Sequence, residues 1–327
     1  MSAIRRIAAI VTLAMVAGLS VAAAQNYPNT PVKVIIPLGA GGPLDVMVRA
    51  LGEGFREQTG QPLIVEPRPG ANGIVAGTAC KNAEPDGYTL CVLLASNVSL
   101  NQFLYENIPY DSEKDFEPIT NAVFANGAVV MSNTVPVNSF QELVAYSKAN
   151  PDKLNYASLG PGGDAHLVLE WLKNETGAKL AHIPYNGLAP ALIALARGDA
   201  HLMYLIAAPQ IVNQVNSGEL KAILVPGSQR NPDLPKAPTF AEAGLPQFET
   251  KLFFGAFAPA GTPKPVVEKL NSELVAAIHS KGFHERFLKL GGYTPVGNSI
   301  GDFRKFLAED KLRGQDLVRK ANVKLKQ

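Results

Sequence analysis

The residues with the clearest chemical potential in this chain are glycines. Gly39-Ala40-Gly41-Gly42 follows the apolar run Val34-Ile35-Ile36, and Gly160-Pro161-Gly162-Gly163 follows Leu154-Asn155-Tyr156-Ala157-Ser158. Each G-x-G-G opens an amphipathic stretch that closes on Thr-Gly, at Thr59-Gly60 and at Thr176-Gly177. A second apolar run ending in proline follows each time, at Pro67 and Pro184. A glycine loop at a helix start presents backbone N–H groups and the positive end of the helix dipole, which suits an anion. Two such loops in two similar halves predict two lobes gripping one small anion. A helix terminus contributes about 0.3–1 kcal/mol, and each charge-assisted hydrogen bond roughly 1.5–3 kcal/mol. Several donors together reach the ~8 kcal/mol of micromolar binding without a cationic side chain.

Two other readings of the first loop exist. A dinucleotide fingerprint needs a third glycine where Leu44 stands. A plain strand-to-helix turn is the other, and the duplication argues against it. The side chains beside the loops have alternative roles. Asp45 either holds its loop through backbone N–H groups or touches the ligand. Asp164 either caps the second helix or faces the cleft, where it repels a carboxylate and favours a ligand amine. His166 is either a core or capping residue or a ligand contact. Tyr185 and Tyr204 either line the cleft or belong to the core. Leu205-Ile206-Ala207-Ala208 is either strand interior or a pocket wall suited to a flat or aromatic carboxylate.

The patterns of catalysis are missing. The sequence has no G-x-S-x-G elbow and no H-E-x-x-H. Its 5 histidines and 2 cysteines show no metal-ligand spacing. Asp164 and His166 lie two apart but lack a third ligand, and Ser158 with His166 is the one conceivable nucleophilic dyad. We therefore expect no catalytic residues, no metal and no cofactor.

The positioning elements follow from punctuation. Residues 32–38 read as a buried strand. Gly42 caps a helix with Pro43 in its first turn and Gly60 at its end. Residues 63–65 and 88–94 read as further strands, with a short helix ending near Asn82 between them. The extended run 116–131 reads as a crossing between lobes. Ser139 with Glu142 forms a capping box. The second half repeats the scheme: strands at 154–157, 180–183, 201–206 and 220–225, helices at 166–175 and 188–197. Residues 253–259 read as the return crossing, and helices at 265–279 and 300–320 finish the chain. Strands alternating with helices predict α/β lobes built on parallel βαβ units. In open sheets of this kind, ligands sit beyond the carboxyl ends of the strands. Both glycine loops fall there.

Residues 1–24 read as a signal peptide. Arg5 and Arg6 precede an apolar stretch that ends at Ala22-Ala23-Ala24. Its removal takes Lys+Arg from 30 to 28 against 28 Asp+Glu, so the mature charge is near zero. That excludes a basic face for nucleic acid. About 300 mature residues suffice for two cores. In an exported chain, Cys80 and Cys91 favour a disulfide over two buried thiols, worth roughly 2.5–3 kcal/mol by loop entropy.

Several segments in this order resemble the substrate-binding proteins of tripartite tricarboxylate transporters, the Bug family. They are residues 37–45, Arg68-Pro69-Gly70-Ala71, Pro85-Asp86-Gly87-Tyr88-Thr89-Leu90 and Pro109-Tyr110-Asp111. His166-Leu167, Pro184-Tyr185-Asn186-Gly187, Glu242-Ala243-Gly244-Leu245-Pro246 and residues 257–263 extend the match over the mature chain. The resemblance implies a type II-like Venus flytrap, a two-lobed periplasmic binding protein with mostly parallel sheets. It implies a monomer that captures a small organic carboxylate, a dicarboxylate or aromatic acid, largely through backbone N–H groups and ordered waters. It then delivers the ligand to two integral membrane subunits. Lobe 1 would comprise residues 25–125 and 228–327, and lobe 2 residues 126–227. The expected ligand-binding set is Leu38, Gly39, Gly41, Gly42, Asp45, Ser96, Asn97, Ser158, Gly160, Gly162, Gly163, Asp164, His166, Tyr185, Asn186, Gly187, Ala189, Tyr204 and Leu205. Pro43-Leu44, Gly163, Asn186, His201 and residues 205–208 depart from the family pattern, which bears on the ligand rather than on the fold. A receptor for a sensor and an exported enzyme on the same fold stay open.

Overall fold

The computed structural model describes residues 27–245 and 251–325; the expected signal peptide lies outside them. In chain order the first part is β1 (Val32–Ile36), α1 (Pro43–Thr59), β2 (Leu63–Pro67), α2 (Ile74–Lys81) and β3 (Thr89–Leu94). A π-turn at Ser96–Leu100 leads into α3 (Asn101–Leu104), β4 (Phe116–Ala125) and β5 (Gly127–Ser132). Next come α4 (Phe140–Ala149), β6 (Asn155–Ser158), α5 (Asp164–Thr176), β7 (Ala181–Pro184), α6 (Leu188–Arg197), β8 (Leu202–Ile206), α7 (Pro209–Asn216) and β9 (Leu220–Leu224). The chain closes with β10 (Leu252–Pro259), α8 (Lys264–Ile278), α9 (Lys281–Arg286), β11 (Tyr293–Pro295) and α10 (Ile300–Ala321). Helices α7 and α9 and strand β11 have no counterpart in the expected elements.

The same glycine punctuation sets the helices after both loops. Gly42 precedes α1 at φ −77°, ψ 170°, and Gly163 precedes α5 at φ −71°, ψ 163°. Gly60 ends α1 at φ 75° and Gly177 ends α5 at φ 71°, each returning its N–H to the helix. Left-handed backbone of this kind is where glycine costs least. Ser139 caps α4 as expected, accepting the Glu142 amide at 3.2 Å.

Two sheets form, ordered β11-β4-β10-β3-β1-β2 and β7-β6-β8-β5-β9. Both are mixed rather than mostly parallel. β1 pairs in parallel with β2 and β3, but β10 is antiparallel to β3 and β4. In the second sheet β6 pairs in parallel with β7 and β8, and β5 runs antiparallel to β8 and β9. The order β2-β1-β3-β10-β4 therefore matches β7-β6-β8-β5-β9. Each sheet receives its antiparallel strand from a chain that has just arrived from the other lobe, which forces the reversed direction. So β10, expected as a crossing, is an inner strand of the first sheet.

Some residues beyond 227 pack with the second sheet. Leu234, Ala237 and Phe240 are buried in the second lobe's core, where Phe240 packs against Trp171 at 6.0 Å. Helix α10 serves both lobes. Phe303 packs with Phe253 and Phe257 of β10, while Leu317, Val318 and Ala321 join the core beneath α5. An apolar face of 22 residues is long enough to reach both. Cys80 and Cys91 form the expected disulfide, tying the end of α2 to β3 with Cα atoms 6.0 Å apart.

Candidate functional site

Both glycine loops lie where their strands end and their helices begin. In the first, Gly41 takes φ 80°. Its N–H donates to Asp45 Oδ2 at 3.0 Å, and Arg49 Nε donates to the same oxygen at 3.0 Å. The Arg49 bond holds the Asp45 carboxyl below the usual carboxylate range. Asp45 is buried, and its Oδ1 has no hydrogen-bond partner among the described residues. Asp45 thus shapes the loop from behind. Among the described residues the amides of Gly39, Ala40 and Gly42 have no hydrogen-bond partner, and a Cβ at Gly39 or Gly41 would meet nothing within 4 Å. The loop borders open space and offers donors to it.

The second loop repeats the shape with other chemistry. Gly162 takes φ 81°, and its N–H donates to His166 Nδ1 at 3.0 Å. Gly160 donates to Ser158 Oγ at 3.1 Å, and Ser158 Oγ lies 2.6 Å from His182 Nε2. His166 and His182 stack at 4.2 Å and 17°, and Tyr156 lies near-parallel to both, 4.9 Å from His182 and 6.5 Å from His166. Burial lowers both imidazoles, His182 to about 4 with His166 as second cause. Ser158 is fully buried, and its partner is His182 rather than His166. The amides of Gly41 and Gly162 are thus engaged within their own loops, by Asp45 and His166.

The second loop also touches the first lobe. Asn72 Nδ2 donates to the Gly162 carbonyl at 3.1 Å and to Asn101 Oδ1 at 2.8 Å. The Asn72 carbonyl accepts from Asn97 Nδ2 at 2.9 Å and Asn101 Nδ2 at 3.1 Å. Asn97 is buried, and its Oδ1 takes the Leu94 amide, so it anchors the turn after β3. Ser96 is buried beside it. Asn72 was absent from the sequence expectation. Its signal is a non-glycine residue inside the turn Gly70-Ala71-Asn72-Gly73, where it adopts φ 49°.

Asp164 faces the junction of the lobes. It lines a cavity of ≈ 20 Å³ with Asp310, Arg313 and Leu317 of α10, Lys251 and Leu100. That is room for one water-sized group. Burial first, then the Asp310 charge, pushes the Asp164 carboxyl up to about 6.

The remaining expected residues divide. Asn186 and Ala189 are exposed and Gly187 half-buried, at the start of α6 on the loop side of the sheet. Tyr185 is half-buried against the second lobe's core, and its N–H bonds the Ser158 carbonyl at 2.8 Å. Tyr204 and Leu205 are buried in β8, paired with Val129 and Ala128 of β5. Tyr204 joins the core that holds Leu167 and Val168 of α5 and Leu205 the core that holds Ala191 and Leu192 of α6, while Ile206 and Ala208 are half-buried. His182 was missed: only the register that sets it opposite Tyr156 reveals it.

The family model described as the tripartite tricarboxylate transporter family receptor matches residues 47–323. The chain belongs to this family. It is 32% identical over 309 residues to the protein BugT of Bordetella pertussis, covering 93% of each chain. Among solved structures, a Rhodopseudomonas palustris protein, Rpa4515, with adipate shares 28% identity at TM-score 0.82, covering 92% of this chain and 100% of that one. MatC of the same organism, with bound malate, shares 30% at TM-score 0.79, covering 89% and 100%. Members of the receptor family are solute-binding proteins, and the departures at Pro43-Leu44 and Gly163 leave Gly41 and Gly162, and Gly42 and Gly163, in matching conformations.

Proposed function

We propose that this protein is a periplasmic receptor that captures a small organic carboxylate between its lobes. It delivers the ligand to the membrane subunits of a tripartite tricarboxylate-type transporter. The observation that carries this reading is the matched pair of glycine loops. They put two helix N-termini at the carboxyl ends of the strands, with the amides of Gly39, Ala40 and Gly42 unengaged among the described residues. The contact set is Leu38, Gly39, Gly42 and the 186–189 segment beside the N-terminus of α5, where the Gly160 and Gly163 amides are taken by Ser158 Oγ and the Gly160 carbonyl, and no residue acts as a catalyst. The protein works as a monomer after export.

A dicarboxylate is favoured over an aromatic acid. Leu205 is buried in its strand, and two relatives hold adipate and malate. Leu38 and Leu159, each just ahead of its loop, are 38% and 55% exposed. They suit a methylene chain between two carboxylates.

Thermal unfolding of the mature protein against dicarboxylates, tricarboxylates, aromatic acids, amino acids and neutral sugars tests this. A ligand at a hundred times its Kd adds about 2.7 kcal/mol. A shift with a dicarboxylate is expected; a shift with sugars alone overturns the reading.

A further inference from the structure

We propose that His182 is a positioning residue of the ligand site, holding the second glycine loop, and with it the N-terminus of α5, in place through Ser158 and acting as a pair with His166. This rests on the receptor reading. The two residues tie the two ends of one loop. His182 reaches Gly160 through Ser158 Oγ, which lies 2.6 Å from His182 Nε2, 3.1 Å from the Gly160 amide and 3.2 Å from the Gly160 carbonyl. One arrangement satisfies all three bonds: His182 donates from Nε2, Gly160 N–H donates to the same oxygen, and the hydroxyl donates to the Gly160 carbonyl. His166 holds Gly162, and its Nδ1 accepts only while it carries no proton. The rings stack at 4.2 Å, so a tilt of one displaces the other, and the loop's amides turn with them.

The first loop has no such support. Pro37 stands where Ser158 stands in the second, and it carries no hydroxyl. Around the imidazoles stand Tyr156 of β6 and Glu170 and Lys173 of α5. Glu170 is bonded to both Lys173 and the Tyr156 hydroxyl. With that acid already paired, a proton on either ring gains little. It also sets a donor against the Gly162 amide and a charge beside the neighbouring ring. The pair therefore works neutral.

The test uses the mature protein and the variants His182→Ala, His182→Gln and Ser158→Ala. Adipate and malate serve as probes in calorimetry. NMR reads exchange of the Gly160 and Gly162 amides and the imidazole nitrogen shifts. His182→Ala and Ser158→Ala should each weaken the better probe about 5-fold and speed both amides about tenfold, with unchanged circular dichroism. His182→Gln, which returns an N–H to Ser158, should recover much of both losses. Nitrogen shifts at pH 7 should show His166 unprotonated at Nδ1 and His182 protonated at Nε2. Wild-type affinity and exchange in Ser158→Ala overturn the proposal, as does a charged His166. If His182→Ala does not fold, Ser158→Ala decides. If wild type binds neither probe, the receptor reading for dicarboxylates fails, and exchange and tautomer still decide the positioning role.

Discussion

Asp45 and His166 hold the same place in the two halves of the chain: each takes the amide of the residue four positions earlier, Gly41 or Gly162, at 3.0 Å. One does so with a carboxylate backed by Arg49, the other with an imidazole stacked on His182. The repeat preserves the loop geometry and exchanges the chemistry behind it.

Asp45→Ala leaves the Gly41 amide without its acceptor, so it should destabilise by about 1–3 kcal/mol and weaken binding. The Asp45 carboxyl is lowered in the folded state. Its contribution is therefore present above the unfolded value near 3.9 and is lost as pH falls through the lower folded value. Denaturant unfolding of wild type and Asp45→Asn between pH 2 and pH 6 should show wild type losing its advantage at the acid end.

Gly39 separates binding from folding. A Cβ there meets nothing within 4 Å, and its φ is not positive. Gly39→Val should keep the wild-type Tm within a degree or two, as surface changes usually do. It should reduce ligand affinity at least tenfold by filling the cradle. Retained affinity would remove Gly39 from the contact set. By contrast, Gly162→Ala should lower stability by about 1–2 kcal/mol, because φ is 81° there and the new methyl comes within 2.7 Å of Leu325 Cδ1.

Asn72→Gly deletes the hydrogen bond to the Gly162 carbonyl while permitting the left-handed backbone at φ 49°. The bond joins the two lobes, so its loss biases the protein toward the open form. Affinity should fall about 5-fold, and small-angle scattering should show a larger radius of gyration for the unliganded variant. An unchanged radius with unchanged affinity would assign Asn72 to the first lobe's turn alone.

Asp164 makes the opposite pH claim from Asp45. Its carboxyl is raised to about 6 by burial and by Asp310. A raised value gives stability that is full below the unfolded value near 3.9 and lost as pH climbs through about 6. Asp164→Asn should therefore be more stable than wild type at pH 8, by about 2 kcal/mol, with the difference shrinking at pH 4. Urea midpoints at the two pH values measure it.

The glycine loops, their helices and the disulfide were legible in the sequence because each is written in local punctuation. Gly42-Pro43, Gly60 and Gly177 specify helix ends by backbone conformation alone. Strand neighbours were not legible. The apolar run of β10 looks the same whether it crosses between lobes or lies inside a sheet, and its pairing with β3 and β4 is decided by residues far away in sequence. The same holds for Tyr204 and Leu205, whose burial depends on α5 and α6 packing on opposite faces of the sheet. His182 and Asn72 act on residues 24 and 90 positions distant, and no local pattern encodes such a partner. The long α10 was legible as a helix, but its service to both lobes was not.

The exchanged antiparallel strands impose an order on synthesis. The second sheet draws all its strands from one contiguous stretch, β5 through β9, and is complete once Leu224 has been made. The first sheet lacks its inner strand until Pro259. Until then β3 and β4 present open edges to each other across a gap one strand wide, the kind of edge that recruits foreign strands. The lobe that starts first on the ribosome is thus the last to close, and its unfinished half is where a holding chaperone has most to protect.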